Sequence, residues 1–181
     1  MYAFNYERPA SAADAARLAA AGAKILAGGQ TLLASMKLRL ASPPSLADLG
    51  GIAALAGIRR EGNALVIGAM TRHAAVADSA EVLSAIPALA DLAGHIGDKQ
   101  IRAMGTLGGS VANNDPSACY PSAVMALGAT VVTTQRSIAA DDFFTGMFST
   151  ALNEDEIITE IRFPIAKRAA YIKFKQPASR F

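Results

Sequence analysis

The sequence predicts an α+β fold made of two units, and three observations carry that expectation. Apolar residues make up 52% of a 181-residue chain, enough to fill one domain or two small ones. Helix-like and strand-like stretches alternate up to about residue 55. Beyond that point two short apolar runs flank Gly62-Asn63, the signal of a β-hairpin that opens a new unit. The expected units are therefore 1–55 and 56–181, the second holding an antiparallel or mixed sheet.

Pro9 and Ser11 mark a helix entry, and Ala15, Leu18 and Ala19 keep one face apolar until Gly22 stops it. Residues 23–27 read as a short buried strand. Thr31 then caps a helix over 32–40 that Ser42-Pro43-Pro44 ends, and "PSLADLG" is a strand entering a turn at Gly50-Gly51. In the second unit, 58–61 and 64–67 pair as the hairpin, and Thr71 caps the short helix "RHAAVADS". "SAIPALADLAGHIG" has helical spacing through Ile86, Leu89, Ala90 and Ala93. Further on, 122–127 reads as a helix, 130–134 and 137–139 as paired strands, Glu154-Asp155-Glu156 as a turn and 156–163 as a strand. The closing "AAYIKFKQPASRF" alternates Ile172 and Phe174 with Lys173 and Lys175, the pattern of a half-buried strand.

The charge balance is nearly even, with 17 basic and 15 acidic side chains and a formal charge of +2, which excludes a nucleic-acid surface. No apolar run reaches the roughly 20 residues of a membrane span, and "MYAFNYERPAS" lacks a signal peptide's basic and apolar regions, so a cytoplasmic protein is expected. One cysteine, Cys119, and two histidines, His73 and His95, supply neither a disulfide, an iron–sulfur ligand set nor a structural zinc site. Any redox metal must sit on another chain. His73 falls in a polar register and reads as a surface or satisfied histidine rather than a catalytic base, and no acid–base constellation is expected.

Two glycine clusters remain. In Gly28-Gly29-Gln30-Thr31, successive N–H groups can form a concave anion nest, with the Thr31 hydroxyl as a further donor. Taken alone, that stretch reads better as a plain strand-to-helix turn. Thr106-Leu107-Gly108-Gly109-Ser110 repeats the chemistry, and two facing nests suit a pyrophosphate. Asn113, Asn114 and Asp115 follow, offering amides and a carboxylate to a ribose or simply forming a turn. Neither cluster is G-x-G-x-x-G, and no G-x-x-x-x-G-K-[ST] occurs, so the usual dinucleotide and kinase motifs are absent. "GGSVA" falls one residue short of a nucleophile elbow, and both histidines precede Ser110, the wrong order for a hydrolase triad.

Taken in order, "AGGQTLLASMKLRL", "LVIGAMTRHAAV", "IRAMGTLGGSVANNDPSACYPSAVMALGA" and "LNEDEIITEIRFP" resemble the FAD-binding (medium) subunit of the molybdenum hydroxylases, of the carbon monoxide dehydrogenase and xanthine dehydrogenase type. The resemblance covers nearly the whole chain. It implies the two-subdomain FAD-binding fold of the vanillyl-alcohol-oxidase and molybdopterin dehydrogenase type, with FAD in the cleft between the units. By resemblance, Ala27, Gly28, Gly29, Gln30 and Thr31 grip the pyrophosphate from one side, and Thr106, Leu107, Gly108, Gly109 and Ser110 from the other. Members of the family carry an acidic ribose contact where this chain has Cys119, and Asn113 or Asp115 stands in for it. Lys175 resembles a strand lysine beside the flavin ring, its alternative being a solvated edge, and Leu152 resembles a ring-pocket residue or is plain core.

The function implied is an oxidoreductase subunit in which FAD does the redox chemistry. Electrons arrive from iron–sulfur clusters and leave to NAD or another acceptor. The implied partners are an iron–sulfur subunit and a molybdopterin-binding large subunit. The family continues into a further C-terminal domain, which the resemblance marks as absent from this chain. The competing reading is a flavin-free scaffold or remnant whose glycine loops are turns. A lone-acting flavoenzyme of the vanillyl-alcohol-oxidase type would need a substrate domain that these residues do not supply.

Overall fold

The computed structural model describes residues 1–175. Strands β1 (Asn5–Glu7), β2 (Lys24–Leu26) and β3 (Ser45–Asp48) form a parallel sheet in the order β1-β3-β2, with Tyr6 and Lys24 both opposite Leu46. Helix α1 (Ala12–Ala20) connects the first two. Its start is fixed by Ser11, whose hydroxyl accepts from the Asp14 amide at 3.1 Å and donates to the Asp14 carboxylate at 2.8 Å. Gly22, at φ +93°, turns the chain into β2.

Helix α2 (Leu32–Lys37) is shorter than the sequence predicts and is not capped by Thr31, which is itself helical at φ −93°, ψ −53° and makes no capping bond. Its end comes from a turn in which Arg39 takes φ 62°.

The second sheet is antiparallel, in the order β4-β5-β10-β6-β7, from β4 (Ile58–Glu61), β5 (Ala64–Gly68), β6 (Thr130–Thr133), β7 (Ser137–Ala139) and β10 (Ile158–Pro164). The expected hairpin at Gly62-Asn63 is the β4–β5 pair. Between β5 and β6 lie α3 (His73–Asp78), α4 (Ala80–Ala85), α5 (Pro87–Gly94), α6 (Lys99–Met104), α7 (Leu107–Asn113) and α8 (Cys119–Ala126). They bury Leu89, Leu107, Tyr120 and Val124 against Leu65, Ile67, Ile161 and Phe163 of the sheet. Helix α9 (Ala140–Phe143) leads into a small hairpin, β8 (Phe144–Gly146) and β9 (Ser149–Thr150). A second cluster joins Ala15 and Ala19 of α1 to Leu49, Ile52 and Leu55, and takes in Ile157 from just before β10.

Several expectations are corrected. The helical run after Ser79 breaks at Ile86 because Pro87 lacks an N–H and starts a new helix. Arg72, not Thr71, precedes α3, and the Thr71 hydroxyl instead donates to the Gly57 carbonyl at 3.0 Å. The second glycine cluster is the first part of α7 rather than a loop. The turn expected at Glu154-Asp155-Glu156 is present, closed by the Glu156 amide donating to the Asn153 carbonyl at 3.2 Å, but Glu156 itself is buried and ion-paired to Arg136. Residues 171–175 form no strand, and Ile172 and Phe174 are each 91% exposed. Alternation alone cannot make a strand without an edge to pair with, and the edges β4 and β7 do not receive this segment. The rest of that pattern, 176–181, lies outside the described residues.

Candidate functional site

The two glycine clusters touch. A methyl group built on Gly28 would lie 2.3 Å from the Met104 carbonyl oxygen and 2.7 Å from the Gly105 Cα, and one on Gly109 would lie 3.3 Å from the Ala27 Cβ. Glycine is required at Gly28 because backbone meets backbone there. The sequence motif shows the glycine but not the partner across the fold.

The clusters differ in what they leave available. Among the described residues, the amides of Gly28, Gly29, Gln30 and Thr31 find no acceptor, Gly29 takes φ +73°, and the Gln30 side-chain amide folds back to the Gly28 carbonyl at 2.9 Å. Such a row of unpaired N–H groups is an anion nest.

In the second cluster the amides of Leu107 and Gly108 donate to the carbonyls of Thr71 and Ala69 at 3.0 and 2.8 Å. Those of Gly109 and Ser110 donate to the Thr106 hydroxyl and carbonyl, at 3.2 and 3.1 Å. Its glycines serve contact: a methyl on Gly108 would sit 2.6 Å from the Ala69 Cβ. The second cluster is thus the rigid wall against which the first, with free amides, is set. The hydroxyls of Thr31 and Ser110 make no hydrogen bond among the described residues, whereas that of the buried Thr106 is committed to its cap.

The wall is strapped to residues 69–73. Besides the bonds to Ala69 and Thr71, the His73 amide donates to the Gly105 carbonyl at 3.0 Å. The His73 ring is not the surface or satisfied histidine that the sequence suggests. It is buried, and it lies 5.3 Å from the ring of the buried Tyr120; among the described residues neither the His73 Nδ1 nor the Tyr120 hydroxyl has a hydrogen-bond partner. Burial, helped by the charge of Arg102, lowers the His73 pKa to about 4, so the ring is neutral at physiological pH. Arg102 itself donates to the Ile96 and Gly97 carbonyls at 3.1 Å each.

Asn113 ends α7, and Asp115 follows with one carboxylate oxygen accepting from the Ser117 amide at 2.8 Å. Leu152 packs against the main core. Lys175 is exposed in the final segment and is not brought to the glycine clusters by any recorded contact; that segment is anchored by Lys173, which donates to the His95 carbonyl at 2.9 Å. Asn114, which the sequence offers as an amide donor to a ribose, is instead the left-handed cap of α7, buried and with its side-chain amide bonded to the β8–β9 hairpin. Its position directly before Asp-Pro was the available signal.

Residues 2–166 match the family described as the FAD binding domain in molybdopterin dehydrogenase. The carbon monoxide dehydrogenase medium chain of Afipia carboxidovorans is 41% identical over 183 residues, covering 96% of this chain and 64% of that protein. The nicotine 6-hydroxylase medium subunit of Paenarthrobacter nicotinovorans is 40% identical, covering 90% of this chain and 59% of that protein. A solved structure of carbon monoxide dehydrogenase from Hydrogenophaga pseudoflava superposes with a TM-score of 0.93 at 40% identity, over 97% of this chain and 64% of that one. The chain thus spans somewhat less than two thirds of the length of these relatives.

Proposed function

Because the chain belongs to the FAD-binding domain family of the molybdopterin dehydrogenases, we propose that it is the flavin-holding part of a multi-subunit molybdenum-containing hydroxylase or dehydrogenase. FAD is the cofactor of the family. The single observation that carries the assignment of its place here is the row of amides at 28–31 that find no acceptor among the described residues, with Gly28 against Met104 and Gly105 at the entry to the second glycine cluster. That donor set fits a pyrophosphate: it offers directed N–H groups with no Cβ at Gly28 or Gly29 to hold the ligand away.

In this reading Ala27, Gly28, Gly29, Gln30 and Thr31 bind phosphate oxygens, and Thr106, Leu107, Gly108, Gly109 and Ser110 shape the opposite wall, where the Ser110 hydroxyl is available as a donor. Asn113 and the second carboxylate oxygen of Asp115 are assigned to ribose hydroxyls. Lys175 is assigned to the flavin ring by resemblance alone. When bound, FAD supplies the passage of electron pairs and single electrons. The chain's residues bind and orient it. Units 1–55 and 56–181 act as the two jaws.

Electrons are proposed to come from iron–sulfur clusters on a partner subunit, beside a molybdopterin-binding large subunit, and to leave for NAD or another acceptor. The setting is proposed to be cytoplasmic; no helix among the described residues is long and apolar enough to cross a membrane.

Thr31→Glu tests the site. Thr31 is exposed and makes no capping bond, so the change leaves folding intact while placing a carboxylate in the nest. FAD affinity, read by flavin fluorescence quenching, is expected to fall at least tenfold with an unchanged thermal midpoint. Equal affinity in the variant and the wild type would remove the pyrophosphate from this loop.

A further inference from the structure

Asn114 is the left-handed end of α7, at φ 43°, ψ 47° and 9% exposed. Its side-chain amide donates to the Gly146 carbonyl at 2.7 Å and to the Ser149 carbonyl at 2.9 Å, and its own carbonyl accepts from the Phe148 amide at 3.1 Å. Three hydrogen bonds thus fasten the tip of the β8–β9 hairpin to the helix that carries Gly108 and Gly109. Strands of three and two residues do not hold a hairpin by themselves, so the fastening fixes the tip.

What the tip presents is unusual. Phe148 takes φ 54°, a left-handed backbone that a bulky side chain rarely adopts, while it stays 58% exposed and Met147 beside it 73% exposed. Strain of this kind persists only where surrounding bonds impose it, and here it keeps an aromatic ring and a thioether out in solvent. A rigid pair of this chemistry suits the face or edge of a flat apolar ring. At 1.5 Å per residue α7 is about 10 Å long. Its Gly109 end abuts the first glycine loop and its Asn114 end holds the tip, so the helix separates two contacts as a pyrophosphate and a ring are separated in an extended dinucleotide.

We infer that Asn114 is a positioning residue that holds Met147 and Phe148 against one of the two planar rings of FAD, isoalloxazine or adenine. The inference rests on the pyrophosphate assignment above.

The test compares the wild-type chain with Asn114→Gly, which keeps the left-handed backbone but removes the amide, and with Phe148→Gly, which relieves the backbone and removes the ring. Phe148→Tyr restores an aromatic ring. FAD and ADP titrations and thermal midpoints are measured for each. Both glycine variants are expected to weaken FAD binding at least fivefold, Phe148→Gly without a lower midpoint, and Phe148→Tyr is expected to stay within twofold of wild type. Unchanged ADP affinity, with brighter residual flavin fluorescence in the bound state, identifies the isoalloxazine ring; an equal loss for ADP identifies adenine. Wild-type FAD affinity in both glycine variants overturns the inference and leaves the pyrophosphate site standing. A wild-type chain that binds neither FAD nor ADP overturns the pyrophosphate assignment, and the inference with it.

Discussion

Gly28 has almost no room, and all of the crowding is backbone: Met104 O at 2.3 Å, Gly105 Cα at 2.7 Å and Met104 C at 2.9 Å from where a Cβ would stand. A flexible side chain would swing aside, but a peptide carbonyl held by its own helix does not. Gly28→Ala is therefore expected to destabilise the fold by about 3 kcal/mol, in the range of a core overpacking change, and to part the two glycine clusters. Urea unfolding measures the first effect and FAD titration the second. The pair "GG" is legible in the sequence as a place where side chains are unwelcome, and the choice between ligand and turn is not. The structure adds a third use, contact with a distant segment, which no local pattern encodes. Glu156 was obscured for a similar reason: its acidic run reads as a turn, and nothing local shows that Thr133 and Arg136 come from a distant hairpin to join the Asn153 amide on its carboxylate.

Among the elements, those with caps and turns written locally are the ones the sequence foretells: α1 with Ser11, the β4–β5 hairpin, and the β6–β7 pair. Helix α7 was hidden because two adjacent glycines oppose helix formation by roughly 1 kcal/mol each relative to alanine. Tertiary contact overrides that cost. Gly108 packs on Ala69, and Thr106, 3% exposed, caps the helix by accepting from the Gly109 amide. Thr106→Val keeps the shape and deletes the acceptor, leaving a glycine amide unsatisfied in a partly buried place. The expected loss is about 1 kcal/mol of stability, measurable by denaturant unfolding, together with weaker FAD binding as the wall loosens. The final segment failed in the opposite direction, its alternation of Ile172 and Phe174 with lysines promising a strand that finds no sheet edge.

At the scale of the whole molecule, Ile157 joins the core around α1 while its neighbours Ile158 and Ile161 belong to the large sheet, so the two hydrophobic clusters meet at a seam next to β10. Acid should test that seam and the wall together, because two buried groups titrate in different windows. His73 has its pKa lowered from 6.5 to about 4, so the unfolded chain takes up a proton first; stability present above pH 6.5 is lost as pH falls toward 4. For Glu156, desolvation raises the pKa but is outweighed by the Arg136, Asn153 and Thr133 bonds, which bring it from 4.5 to about 2. Its contribution is complete above 4.5 and disappears as pH falls toward 2. Each shift corresponds to about 3 kcal/mol over its window. His73→Leu is therefore expected to flatten the loss of stability between pH 6.5 and 4 while leaving the steeper fall below it, and Glu156→Gln to do the reverse. Unfolding free energies measured in urea from pH 3 to 8 separate the two. A His73→Leu profile that keeps the wild-type slope above pH 4.5 would show that the ring beneath the second glycine cluster is solvated in the folded protein, and the wall would then be less rigid than its strapping to residues 69–73 requires.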